Sequence, residues 1–227
     1  MGTITCTCGT VTLTLPNAVP KFRCGCCCKD CLQRAYLGCK GHPPEAIRKL
    51  EEPLDLLYVD SQLMKPDPET LANLEVIKLN KPDEANVNLR ATCCGSVLCT
   101  ENEAFHVPHT MATFNNLSPF LACDFADVPE SRLYVWTSHW PAEKAGALAA
   151  REEASRGEAL PQIFNVMEAL TEAPIIEIAS ALQIEASPKP EGSISFARLC
   201  EGLEMIIEHG YYAESRAHLT GDSHPSP

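Results

Sequence analysis

The sequence has little of what three common classes of protein require. Acidic side chains outnumber basic ones by 30 to 18, and the formal net charge of −12 argues against nucleic acid as the main partner. No stretch approaches the roughly 20 apolar residues that span a membrane, so we expect no membrane partner. The first residues, MGTITCTCGT, lack the basic and apolar regions of a secretory signal. We therefore expect a cytoplasmic protein whose thiols stay reduced.

Cysteine, in contrast, is abundant: the chain has 13 in 227 residues, and most of them fall into three tight groups. The groups lie at residues 6–8, 24–31 and 93–94. Close neighbours in sequence rarely reach the geometry of a disulfide, whereas short C-x-C and C-x-x-C hooks present thiolates to a tetrahedral zinc ion. The grouping therefore predicts zinc as the cofactor. Inert burial is the simpler interpretation of the four isolated cysteines, Cys39, Cys99, Cys123 and Cys200.

The first part of the chain has the alternating, Thr- and Val-rich pattern of β-strands. Residues 3–15 predict two short strands that turn at Gly9, and further strands are predicted at 56–59, 74–79 and 86–92. We therefore expect a β-rich zinc-binding domain over residues 1–141.

The composition changes after this domain. Residues 142–212 are rich in helix formers, and Phe196, Leu199, Leu203 and Ile206 fall on one face of a helix. This pattern predicts a C-terminal α-helical extension, which is a candidate surface for homo-oligomer formation. The polar residues 213–227 predict a disordered tail.

The cysteine groups differ in how many ligands each offers to a metal. Cys26, Cys28 and Cys31 form C-x-C-x-x-C, so that one backbone loop can direct three sulfurs at one ion. Three protein ligands leave a tetrahedral ion with an open fourth position, as in catalytic zinc sites. Cys6 and Cys8 form a two-ligand hook that needs partners from elsewhere, and residues 93–94 are the other close pair.

The order of these motifs resembles that of the glutathione-dependent formaldehyde-activating enzyme and centromere protein V family. The matching segments are C-x-C-G at 6–9, C-x-C-x-D-C at 26–31 and R-x-x-x-C-G-S-x-L at 90–98. The resemblance covers roughly residues 3–140 and implies a zinc-bearing, Mss4-like β-sheet fold with two zinc sites. In that family's pattern the structural zinc would be held by Cys6, Cys8 and Cys94, and the more open zinc, where a thiol or thiol adduct binds, by Cys26, Cys28 and Cys31.

Two positions depart from the family pattern. The family usually has C-x-x-C-G in the third motif, but Ala91 stands where its first cysteine would be, and Cys93 is directly adjacent to Cys94. Because neighbouring residues of a strand point to opposite faces, either the backbone turns and Cys93 completes the first site, or Cys93 faces the second. Cys27 stands where the family often shows histidine, which adds a spare thiol beside the open site.

The segment around the second cysteine group is basic, although the chain is acidic. Residues 21–49 carry seven basic and two acidic side chains, a formal net charge of +5. Positive charge favours thiolates, and Lys29 and Arg34 are candidates to hold the carboxylates of a thiol such as glutathione. Asp30 would orient a basic side chain or the ligand backbone, or else cap a turn. A solvated basic loop is the simpler alternative.

As an enzyme, the protein would be a carbon–sulfur lyase of the formaldehyde-activating type. It would make or break a carbon–sulfur bond between a small thiol and an electrophilic carbon at the zinc held by the C-x-C-x-x-C motif. The alternative is a non-catalytic, zinc-stabilised protein-binding module, for which the helical extension would be the partner surface. A third hypothesis is a redox or metal-buffering protein that uses the spare cysteines.

Overall fold

The computed structural model describes residues 1–39, 53–102, 109–115, 121–129, 133–135, 164–166 and 184–208. These ranges are mainly β, as the sequence predicts. Their strands are β1 (Gly2–Cys6), β2 (Thr12–Leu15), β3 (Phe22–Cys26), β4 (Leu54–Asp60), β5 (Gln62–Met64), β6 (Leu74–Leu79), β7 (Asn86–Ala91), β8 (Val97–Asn102), β9 (Thr110–Phe114), β10 (Leu121–Asp124), β11 (Leu133–Val135), β12 (Phe164–Val166), β13 (Ser193–Ser195) and β14 (Met205–Glu208). Their helices are α1 (Lys29–Cys39), α2 (Pro68–Ala72) and α3 (Phe196–Cys200).

Most strands belong to one nine-stranded sheet. Its order is β12-β11-β3-β4-β9-β8-β7-β6-β14. Neighbouring strands are antiparallel from β3 to β6, whereas β14 joins β6, and β11 joins β3 and β12, in parallel. A second sheet has the order β10-β1-β2, and β5 pairs with β13.

The N-terminal hairpin has the form that the sequence predicts. Ile4 and Cys6 of β1 and Leu13 and Leu15 of β2 are buried, and the residues between them are more exposed. This alternation places one face of the hairpin on the core, because side chains along a strand point to opposite faces. Gly9 lies in the turn with φ +78°, a left-handed conformation that glycine adopts without steric cost.

Helix α1 begins within the second cysteine group, so that Cys31 lies in its first turn, and it packs on the nine-stranded sheet. Leu37 is buried with Ile77 and Val97, and a Cβ at Gly38 would lie 3.4 Å from the backbone nitrogen of Val97. The small residue therefore lets the helix lie close to β8. A loop was predicted over residues 26–31, and that prediction is wrong from Lys29 onward, where α1 begins.

The C-terminal segment is also different from the prediction. Where one helix was predicted through Phe196 and Ile206, the helix ends at Cys200 and Met205–Glu208 forms a strand. Residues 164–166 and 193–195 are strands as well. Met205–Glu208 satisfies its backbone groups against β6, so tertiary pairing overrides the helical spacing of its apolar residues. The rest of 142–212 and the tail predicted over 213–227 lie outside the described residues.

Within the described ranges, no helix combines the length and the apolar character that a membrane crossing requires.

Candidate metal centres

Two pairs of cysteines that are far apart in sequence meet at the turn of the N-terminal hairpin. Cys6 is the last residue of β1, Cys8 lies in the turn after it, and Cys93 and Cys94 lie in the turn between β7 and β8. Their sulfurs are all within 4.8 Å of one another. We call these residues the four-cysteine group. The group joins the three-stranded sheet to the nine-stranded sheet.

Two similar turns present the four sulfurs. In the first turn, Gly9 N–H donates to the Cys6 carbonyl (3.0 Å) and Cys6 N–H donates to the Val11 carbonyl (3.0 Å). In the second, Gly95 N–H donates to the Ala91 carbonyl at 2.8 Å, and Gly95 has φ +77°. A left-handed glycine after the cysteines reverses the chain within a few residues, so that the side chains before it converge.

The spacing of the four sulfurs is compatible with zinc. Four of the sulfur–sulfur distances are 3.3, 3.5, 3.8 and 3.9 Å. A tetrahedral zinc ion with four sulfurs at about 2.3 Å would hold them about 3.8 Å apart. The group therefore has the donor type, the donor number and the spacing of a closed zinc site.

Cys93 joins the first site, which resolves the alternatives that the sequence left open. Its sulfur lies 3.3 Å from that of Cys8 and 3.8 Å from that of Cys6. Ala91 is the last residue of β7 and is fully buried, so its side chain belongs to the core. The fourth sulfur thus comes from the turn two residues later, because β7 has ended and the backbone bends before Cys93.

The two cysteines of the first turn have opposite electrostatic surroundings. Hydrogen bonds from the Thr10 hydroxyl and backbone N–H lower the pKa of the exposed Cys8 thiol to about 6. The Thr10 Oγ1 atom lies 3.2 Å from Cys8 Sγ. Burial instead raises the pKa of Cys6. The outer thiol is therefore the one that is ready to act as a thiolate ligand.

A second site, the three-cysteine group, consists of Cys26, Cys28 and Cys31. Their sulfurs lie within 4.8 Å of one another, and no fourth His, Cys, Asp or Glu of the described residues joins them. Cys26 ends β3 and Cys31 lies in the first turn of α1, so a strand–helix junction replaces the predicted loop. Cys28 precedes the helix, and its sulfur accepts the N–H of Cys31 at 3.2 Å. The start of α1 therefore fixes the position of two of the three sulfurs.

Arg34 contacts one of these sulfurs from within α1. Its Nη2 donates to Cys31 Sγ at 2.7 Å, and the residue is only 5% exposed. Hydrogen bonds from the Cys26 and Cys28 thiols, together with the charge of Arg34, hold the pKa of Cys31 well below its ordinary value. The three-cysteine group thus favours negative charge on at least one sulfur.

The two other predicted ligand-binding residues, Lys29 and Asp30, lie between Cys28 and Cys31 in the sequence. Lys29 is exposed at the start of α1. Asp30 is partly buried, and its Oδ2 accepts from Asn86 Nδ2 at 3.4 Å. Burial raises the pKa of the Asp30 carboxyl. Lys29 is therefore the basic residue of the pair Lys29 and Arg34 that solvent can reach.

No protein-family model, no curated protein and no solved structure matches the chain.

The sequence predicted the seven cysteines of the two groups but not the hydroxyls that contact them. Ser96 is fully buried, and its Oγ lies 3.2 Å from Cys94 Sγ and accepts the N–H of Thr7 at 3.1 Å. Thr10 occupies the corresponding position after Cys8 and Gly9. A repeated C-G-T/S pattern at 8–10 and 94–96 was the signal that would have found both.

Proposed function

We propose that this chain is a two-zinc protein that acts on a small thiol or thiol adduct, as a carbon–sulfur lyase of the formaldehyde-activating type. The observation that carries the proposal is the unequal number of donors. One group offers four sulfurs and the other offers three. A four-sulfur site is complete and suits a structural ion, whereas three protein ligands leave a position for a substrate.

The residues of the three-cysteine group would bind the ion of the open site, and their burial would set the side from which a substrate reaches it. Cys26, Cys28 and Cys31 would hold the ion, which would supply a Lewis acid that keeps a thiol as thiolate or polarises an oxygen of its adduct. Cys26 and Cys31 are each 3% exposed, so water would not reach the ion from their side. Cys28 is partly exposed and marks the side from which a small thiol would enter.

The electrophile and the thiol class are inferred from the motif resemblance. In the lyase-type reaction, the sulfur of a glutathione-like thiol forms a bond to the carbonyl carbon of an aldehyde such as formaldehyde, and the thiol proton ends on the oxygen. Bringing the two reactants together would itself supply much of the rate. Lys29, exposed beside the group, is the residue we expect to attract the carboxylates of such a thiol. A cytoplasmic location would keep both cysteine groups reduced.

A non-catalytic, zinc-stabilised binding module is the second candidate. The burial of Cys26 and Cys31 favours this module, because a buried ion would stabilise the junction of β3 and α1 without binding a substrate. Thiol binding separates the two candidates, since only the enzyme needs an accessible fourth position.

Native mass spectrometry with a panel of thiols tests the proposal. The wild type should carry two zinc ions and one thiol. Cys28→Ser should stay folded, keep one zinc ion and bind no thiol, because the four-cysteine group does not depend on it. Cys27→Ser is the matched control, since Cys27 lies in the same segment but outside the group, and it should behave as the wild type.

The charge of Lys29 gives a further readout in the same experiment. Lys29→Met should weaken the binding of glutathione, which is anionic, more than that of neutral mercaptoethanol. Thiol-dependent formaldehyde consumption should be lost in Cys28→Ser. Two zinc ions with no bound thiol in the wild type, or full activity in Cys28→Ser, would contradict the enzyme and leave the binding module.

A further inference from the structure

Arg34 carries a buried charge without a described carboxylate partner. The residue is 5% exposed, and its guanidinium carbon lies 5.7 Å from the centroid of the Phe114 ring. Its surroundings on the sheet are largely apolar and include Leu56, Val97 and Leu98. Its Nε is buried with no partner among the described residues, and its described hydrogen bond goes to Cys31 Sγ.

A guanidinium in such a place needs a negative charge nearby. Removing a charge from water is unfavourable unless a partner of opposite charge compensates for it. Two other arginines of the described chain have carboxylates: Arg23 pairs with Asp55 at 2.7 Å, and Arg90 pairs with Glu75 at 2.6 Å. Asp30, one helical turn before Arg34, bonds to Asn86 instead and makes no ion pair with Arg34 in the described structure. Among the described residues, the negative group in direct contact with the guanidinium is the three-cysteine group, through Cys31.

The charge of that group depends on the ion it holds. Coordinated cysteines bind as thiolates, so three of them bring three negative charges. A divalent ion leaves the centre with one negative charge, which Arg34 would cancel. A trivalent ion would make the three thiolates neutral by itself and leave Arg34 uncompensated. Because buried net charge is costly, the arginine favours the divalent ion.

We propose that Arg34 is the counter-ion of the three-cysteine group and makes this site select a divalent over a trivalent ion. This inference rests on the second metal site of the proposed function. It changes the role of Arg34 from a ligand for an anionic thiol, as the sequence predicted, to a positioning residue that acts through Cys31. The 2.7 Å contact and the apolar surroundings carry the assignment.

Metal competition on the full-length protein tests the selection. Zinc affinity of the second site is measured by native mass spectrometry against a chelator, and trivalent arsenic is titrated as arsenous acid into the one-zinc form. Arsenous acid exchanges three As–O bonds for three As–S bonds and releases three waters, so it reports the same sulfurs at a different charge. The variants are Arg34→Met, which removes the charge, and Arg34→Lys, which keeps it.

The two ions should respond differently to the loss of the charge. Arg34→Met should bind the second zinc about tenfold to a hundredfold more weakly, the range for loss of a group that supports a metal ligand. Its affinity for arsenous acid should be unchanged or higher. Arg34→Lys should keep most of the zinc affinity. Lys65→Met removes the same charge from an exposed position outside both cysteine groups and should leave both affinities at the wild-type value.

Two results would overturn the inference. Unchanged zinc affinity in Arg34→Met would show that the charge does not matter, and an equal loss of both ions would show a merely structural role. The zinc of the four-cysteine group reports folding in each variant, and Arg34→Gln replaces Arg34→Met if that variant does not fold. A wild type without a second metal would refute the proposed function itself, whereas a wild type with two metals and an unaffected Arg34→Met would refute this inference alone.

Discussion

Gly95 shows how much of the first site depends on one residue. It lies at φ +77°, directly after two adjacent cysteines whose sulfurs both enter the four-cysteine group. A Cβ at this position would meet no atom within 4 Å, so the space is open and only the backbone conformation opposes a side chain.

Gly95→Ala should therefore lower the free energy of unfolding of the zinc-loaded protein by about 1 kcal/mol, the cost of a left-handed conformation for an L-residue. Denaturant unfolding measures it. Gly202→Ala is the control, because Gly202 has no positive φ and its Cβ would meet only the Leu199 carbonyl, at 3.9 Å. Equal stability of Gly95→Ala and the wild type would mean that the turn does not need its glycine.

The sequence predicted which thiols lie together but not how all of them are arranged. Cys26, Cys28 and Cys31 were assigned correctly to one group, since short spacing limits how far their sulfurs can separate. The place of Cys93 stayed open, because strand alternation and a turn predict opposite directions for its side chain. Arg34 was expected to face a ligand, and its burial depends on strands far away in sequence.

Elements of the two sheets meet at the four-cysteine group, so a metal bound there would link the sheets. Cys6 ends β1 of the three-stranded sheet, and Cys93 lies 87 positions later in the turn between β7 and β8 of the nine-stranded sheet. An ion bound here closes a long loop, so its binding free energy is coupled to folding.

Cys8→Ser should therefore give insoluble or unfolded protein, because three sulfurs hold the closing ion far less well than four. Soluble yield, zinc content and thermal melting measure the effect. Cys123→Ser is the matched control, since Cys123 lies in β10 of the same small sheet but outside both cysteine groups. A soluble Cys8→Ser variant that melts as the wild type does would show that the site is not structural.

Strands that bury one face were predicted well. Segments whose conformation depends on contacts with distant parts of the chain were predicted poorly. The strand at 74–79 was predicted with its observed bounds, and the one at 86–92 is one residue shorter. Helix α1 was missed because the spacing of Cys28 and Cys31 suits a metal loop as well as a helical turn. β14 was mistaken for helix because its apolar residues extend the helical spacing of α3.

Across the whole molecule, Arg90 connects β14, the last strand of the described residues, to β6. Its Nε donates to Glu75 of β6 at 2.6 Å and its Nη1 to Glu208 of β14 at 2.5 Å. The three side chains are only 15–16% exposed, so solvent screens these pairs less than surface ones.

Arg90→Met should lower the free energy of unfolding by about 1–3 kcal/mol, because two partly buried carboxylates lose their partner. Hydrogen exchange should increase most in residues 205–208. The control is Arg198→Met, whose pair with Glu201 is exposed and should change stability by less than about 0.5 kcal/mol. Equal effects of the two substitutions would contradict a role of Arg90 in holding β14.

The sequence alone determined what depends on neighbours in the chain. Alternation determined the first strands, glycine placed the turn at residue 9, and spacing grouped the thiols, since each of these is a property of a few consecutive residues. The tertiary structure alone decided where Cys93 lies, whether Arg34 is buried and whether residues 205–208 extend a helix or pair with β6. These features depend on contacts between segments far apart along the chain, and such contacts produce no pattern among neighbouring residues of the sequence.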